Sequence, residues 1–176
     1  MKVTKHLLVL ISIFTILLLA ACGTDEDQAK DIAEKPKEKE ESYTVEHAMG
    51  TTTLEKSPEK VVILTNEGTE ALLALGITPV GAVQSWTGDP WYDHIAEDMK
   101  DVKVVGVESQ VNVEAIAALQ PDLIIGNKMR QEDIYEQLKA IAPTVFAEDL
   151  RGNWKNNFEL YAKAVNKEEK GKEVLA

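Results

Sequence analysis

Between Val61 and Phe146 short apolar runs alternate with segments of helical pattern, and that alternation leaves few architectures open. Val61-Val62-Ile63-Leu64 is apolar at every position, as a strand is when both of its faces are covered. A helix over 70–75 follows and stops at Gly76, a good C-terminal signal. Val80-Gly81-Ala82-Val83, Lys103-Val104-Val105, Leu123-Ile124-Ile125 and Thr144-Val145-Phe146 supply four more strands. The helices between them are expected over 90–99, over 113–119 before Pro121, and over 132–141, where Ile134, Leu138 and Ile141 share a stripe. A longer helix begins near Trp154 and breaks at Asn166. Strands and helices at this spacing form βα units, so the fold class is α/β, Rossmann-like, with a mainly parallel sheet covered by helices. Ahead of these units, residues 43–55 read as a short hairpin with Gly50 at its turn.

The first 42 residues cannot join that core. Lys2 and Lys5 precede an almost wholly apolar stretch over 7–21 that ends in Leu19-Ala20-Ala21-Cys22. This is the order of a secretory signal, and the stretch is shorter than the ~20 residues of a spanning helix. Cys22 is the single cysteine, so no partner for a disulfide exists within the chain. Residues 23–42 are charged and contain one isoleucine, too little apolar surface to order them. The organisation read from sequence is a signal over 1–21, a solvated acidic tether over 22–42, and one domain over 43–176. Without residues 1–21 the net charge moves from −11 to −13, which argues against nucleic acid as a partner. The final stretch, 168–176, reads as a new helix with no closing signal after Val174-Leu175-Ala176, so the sequence is expected to be truncated.

Ligands of open parallel sheets bind beyond the carboxyl ends of the strands. Thr65, Asn66 and Glu67 follow the first strand. Gln84, Ser85, Trp86 and Thr87 follow the second, with Trp91 and Tyr92 close behind; Lys128, Met129 and Arg130 follow the fourth, and Arg151 and Trp154 the fifth. Cationic side chains and tryptophans so converge on one edge of an acidic domain, which suits an anionic or chelate ligand with flat faces, because a guanidinium grips carboxylates in two places. Each residue also has a plainer reading. Lys128 and Arg130 could be solvated loop residues, Trp86 a core filler, and Asn66 a helix N-cap. No nucleophile elbow and no phosphate loop occurs in the sequence. His47 reads as a hairpin residue and His94 as a helix-surface residue, neither with a partner at metal-binding spacing.

Three stretches carry a family resemblance: Val61-Val62-Ile63-Leu64 with Thr69 to Gly81, Val111 to Gly126, and Ser85-Trp86-Thr87-Gly88-Asp89-Pro90-Trp91-Tyr92. From Tyr43 onward the chain resembles the first half of a bacterial iron-siderophore substrate-binding lipoprotein, the receptor of an ABC importer. The third stretch points to the hydroxamate and citrate-type branch. Leu19-Ala20-Ala21-Cys22 resembles the lipobox of such lipoproteins, which implies diacylation of Cys22 and anchoring at the outer face of the cell membrane. The resemblance further implies two α/β lobes joined by one long helix, of which this sequence holds the first lobe. It places Lys128 and Arg130 where relatives present basic residues to the ligand, with Trp86 and Arg151 at neighbouring cleft positions; Asn66 is a candidate ligand contact by its place after the first strand. Glu114 takes the place of the glutamate that docks on the permease, and it also suits the dipole of its helix at ~0.3–1 kcal/mol. The implied partners are a ferric siderophore, permease subunits and the membrane; no cofactor, no protein metal site, no catalysis, and a monomer are expected. A receptor for haem or cobalamin, a surface-attached α/β enzyme, and an inert remnant are the competing readings.

Overall fold

In the computed structural model, which describes residues 41–150 and 152–176, the run beginning at Val61 lies in the middle of a five-stranded sheet. Cys22, most of the tether and Arg151 lie outside the described residues. A hairpin of β1 (Tyr43–His47) and β2 (Gly50–Leu54) comes first. Then follow β3 (Val61–Ile63), α1 (Asn66–Ala74), β4 (Gly81–Ala82) and β5 (Lys103–Val104). A second hairpin, β6 (Gly106–Val107) with β7 (Gln110–Val111), leads to α2 (Val113–Leu119) and β8 (Leu123–Asn127). The rest comprises α3 (Lys128–Gln131), a 3-10 turn (Glu132–Ile134), α4 (Tyr135–Lys139), β9 (Thr144–Ala147), α5 (Trp154–Ala164) and α6 (Glu168–Leu175).

The sheet order is β5-β4-β3-β8-β9 and every pair in it is parallel. Val61, Val62 and Ile63 sit opposite Leu123, Ile124 and Ile125. Because side chains alternate along a strand, these residues feed two cores. Val61, Ile63, Leu123 and Ile125 pack with Leu72, Phe158 and Tyr161 from α1 and α5. Val62, Leu64, Ile124 and Phe146 pack with Ile116, Tyr135 and Leu138 from α2 and α4. Two covered faces explain why the runs are apolar without interruption.

The first hairpin shields the outer edge of β9, as an edge strand requires. Ala48 N–H donates to the Phe146 carbonyl at 3.0 Å, and Thr52 Oγ1 donates to the Thr144 carbonyl at 2.8 Å. His47 Nδ1 accepts from Met49 N–H at 3.2 Å and Phe146 N–H at 3.3 Å, so that nitrogen is unprotonated and Nε2 carries the hydrogen toward Thr52 Oγ1 at 2.9 Å. Burial, with the nearby Lys139 charge, holds the imidazole below its ordinary range.

Several sequence expectations need correction. The hairpin turn is Ala48-Met49, and Gly50, at φ 124°, opens β2. The first helix starts at Asn66 because Thr65 caps it, its Oγ1 accepting from Gly68 N–H at 3.1 Å. The helix expected over 132–141 is divided between the 3-10 turn and α4, which ends at Lys139. No helix forms over 90–99; that stretch is a series of turns. Its beginning is tied backward instead, with the Pro90 carbonyl accepting from Ser85 N–H at 3.0 Å and Tyr92 N–H donating to Ser85 Oγ at 3.1 Å. Trp91, Ile95 and Met99 nevertheless keep their helical spacing and cover the α1 face of the sheet.

Candidate functional site

The chain reverses its direction of progress across the sheet between β3 and β8, the neighbours from which the strand order runs outward both ways. At such a switch point the loops after the two central strands diverge and leave a crevice. Here an open depression of about 530 Å³ is lined by Asn66, Gln84, Ser85, Trp86, Val107, Glu108, Ser109 and Arg130. It continues into a recess that adds Glu67, Tyr92 and Leu150. The volume is in the ordinary range of small-ligand sites.

The back of the depression is fixed by buried amides. Gln131 donates through Nε2 to the carbonyls of Leu64 at 3.3 Å and Glu108 at 2.7 Å, while its Oε1 accepts from Asn127 N–H at 2.8 Å. One side chain therefore joins the end of β3, the β6–β7 hairpin and the end of β8. Asn127 caps α3 by accepting from Met129 N–H at 2.9 Å and donates to the Asp149 carbonyl at 2.6 Å. Gly126 cannot carry a side chain here, because a Cβ would meet the Phe146 ring at 2.6 Å.

The opposite wall hangs on fewer bonds. Trp86 N–H is shared between Asn66 Oδ1 at 3.1 Å and the Tyr92 hydroxyl at 3.3 Å. Its indole is 79% exposed, so Trp86 does not fill the core. Tyr92 stacks on His94 with ring centroids 5.6 Å apart, and His94 Nε2 lies 2.7 Å from Glu70 Oε1. His94 thus belongs to the turn segment, braced against α1.

Of the residues singled out in the sequence, Asn66, Trp86 and Arg130 come together in the depression. Asn66 is the first helical residue of α1 rather than its cap; its backbone N–H donates to Glu108 Oε1 at 3.2 Å. Arg130 is exposed and forms no ion pair among the described residues. Lys128, two residues earlier, lies 3.0 Å from Glu148 Oε1, and that hydrogen bond and charge raise its pKa. Trp91 is core, only 5% exposed. Trp154 lines a different groove, with Phe158, Tyr161 and Val174. Glu114 is exposed in the first turn of α2, away from the depression. Among the described residues no group of three His, Cys, Asp or Glu side chains could hold a metal ion.

Glu108, Ser109 and Gln131 escaped the sequence reading. The first two follow the third strand of the sheet, β5, and the same carboxyl-end rule applied there reaches them. Gln131 carries no local signal, since a glutamine in a helical pattern reads as surface.

The profile of the periplasmic binding protein family matches residues 61–176. The chain is 59% identical over 174 residues to a Bacillus subtilis protein named "Probable siderophore-binding lipoprotein YfiY", covering 98% of this chain and 52% of the relative. It is 36% identical over 173 residues to the Fe(3+)-citrate-binding protein YfmC of the same organism, covering 95% of this chain and 54% of that one. Staphylococcus aureus SirA complexed with staphyloferrin B superposes with a TM-score of 0.73 at 42% identity, over 76% of this chain and 45% of SirA. The chain spans about half the length of the curated relatives it matches.

Proposed function

The chain belongs to the periplasmic binding protein family, and we propose that it is the lobe of a lipid-anchored receptor that captures a ferric siderophore and delivers it to an ABC permease. The observation that carries this reading is the convergence of Arg130, Asn66 and Trp86 on the switch-point depression, with the guanidinium committed to no ion pair among the described residues. A guanidinium left unpaired can grip the oxygens of a chelate, and the exposed indole offers a flat face to it. The iron is held by the chelate, and the protein contributes recognition without catalysis. Names of relatives in both comparisons, a siderophore-binding lipoprotein, an iron-citrate-binding protein and a staphyloferrin B complex, support the ligand class.

Cys22 is the proposed lipid attachment, residues 23–42 the tether that gives reach, and Glu114 the contact with the permease. Lys128 and Arg151 stand as further ligand contacts in this reading. The hydroxamate and citrate-type branch is the proposed ligand group. Titration of tryptophan emission with iron-loaded and iron-free hydroxamate, citrate and catecholate chelates tests it. Saturable quenching by an iron-loaded hydroxamate or citrate chelate, lost in Trp86→Phe, is expected. A flat titration with all of them, or a response to haem or cobalamin alone, would overturn it.

A further inference from the structure

We propose that Glu108 selects the chelate by its positive or N–H-bearing arm, so that the site takes a ferric chelate with an anionic oxygen face and an ammonium or amine group. This rests on the reading that the depression holds a ferric siderophore. Glu108 is fixed at both ends: Gln131 holds its backbone carbonyl at 2.7 Å, and its Oε1 accepts from Asn66 N–H at 3.2 Å. Its other carboxylate oxygen receives no hydrogen bond among the described residues. Glu108 lines both the depression and its recess together with Arg130, yet the two form no ion pair.

Opposite charges placed in one site without neutralising each other provide for a ligand that has both signs. Glu67 adds a second carboxylate in the recess, its Oε1 taken by Asn157 Nδ2 at 2.8 Å. Against one guanidinium among the described lining residues, two carboxylates repel a chelate that carries carboxylates alone. An ammonium placed between them gains charge-assisted hydrogen bonds instead.

The plainer role for Glu108 is to satisfy an N–H at the start of α1. Glu108→Gln separates the two roles, because the amide keeps an oxygen for Asn66 N–H and removes the charge. The full chain and this variant are titrated with ferric desferrioxamine B, which has a free ammonium, with its neutral N-acetylated form, and with ferric citrate. The wild-type chain is expected to prefer the ammonium form over the acetylated form by about tenfold. Glu108→Gln should erase that preference, bind ferric citrate more tightly than the wild type, and melt cooperatively at nearly the same temperature. Equal affinity for the two hydroxamate forms, or a preference that survives in Glu108→Gln, overturns the role of Glu108. Binding of ferric citrate with neither hydroxamate form also overturns it while leaving the site intact. Silence with all three chelates overturns the site and the inference together.

Discussion

The two ends of the central sheet are both polar, but they use their polar groups differently. At the amino end, the Asp122 carboxylate accepts from Glu59 N–H at 3.1 Å and Lys60 N–H at 2.9 Å, and Lys60 Nζ donates to the Leu119 carbonyl at 3.4 Å. These groups are consumed in closing the fold. At the carboxyl end, Gln131, Asn127 and Thr65 are likewise consumed, and their bonds position Arg130, Glu108 and Trp86, which keep capacity for a ligand. The difference teaches that a binding site is recognised by what the fold leaves unpaired on a tied-down frame, rather than by the number of polar residues.

The largest break in this comparison is expected from Gln131→Leu. It keeps the volume but leaves the Asn127 N–H and two carbonyls without this partner in a buried place. Destabilisation of about 2–4 kcal/mol, read from urea melts, should accompany loss of chelate binding. Asp122→Ala, at the other end, should lower stability by about 1–2 kcal/mol and leave chelate affinity unchanged. Loss of binding in that variant would show that the two ends are not separate in function.

The seam between the first hairpin and β9 offers a smaller, pH-dependent effect. The pKa of His47 is lowered in the fold, so the neutral ring is the form the fold favours. Its contribution is present above the ordinary value of 6.5 and is lost as pH falls through the folded-state pKa. Urea midpoints should therefore drop as pH falls below 6.5, and His47→Gln should flatten that drop. An unchanged slope in the variant would assign the acid sensitivity to other groups.

How much of this was legible in the sequence varied with the kind of constraint. β3 and β8 were plain because burial on two faces admits only apolar residues at Val61, Val62, Ile124 and Ile125. Arg130, Asn66 and Trp86 were legible by position, since strand ends were identifiable and the rule for ligand sites refers to them. The stretch over 90–99 misled because its core-facing spacing is helical, while its start is tied to Ser85 and only isolated turn bonds, from Ile95 N–H to Tyr92 and from Met99 N–H to Ile95, follow. The ties to Ser85 leave no pattern within the stretch itself. The same holds for Gln131, whose three partners come from three separate segments.

Breaking the exposed Lys128–Glu148 pair should have the least effect on the fold, because solvent screens it. That makes Lys128 the natural control for Arg130, two residues along the same short helix. The most direct measurement is calorimetric titration of an iron-loaded hydroxamate or citrate chelate into the wild-type chain, Arg130→Ala and Lys128→Ala. The account predicts that Arg130→Ala weakens binding by about tenfold or more with an unchanged melt, and that Lys128→Ala weakens it less. Equal affinity in the wild type and Arg130→Ala would contradict it.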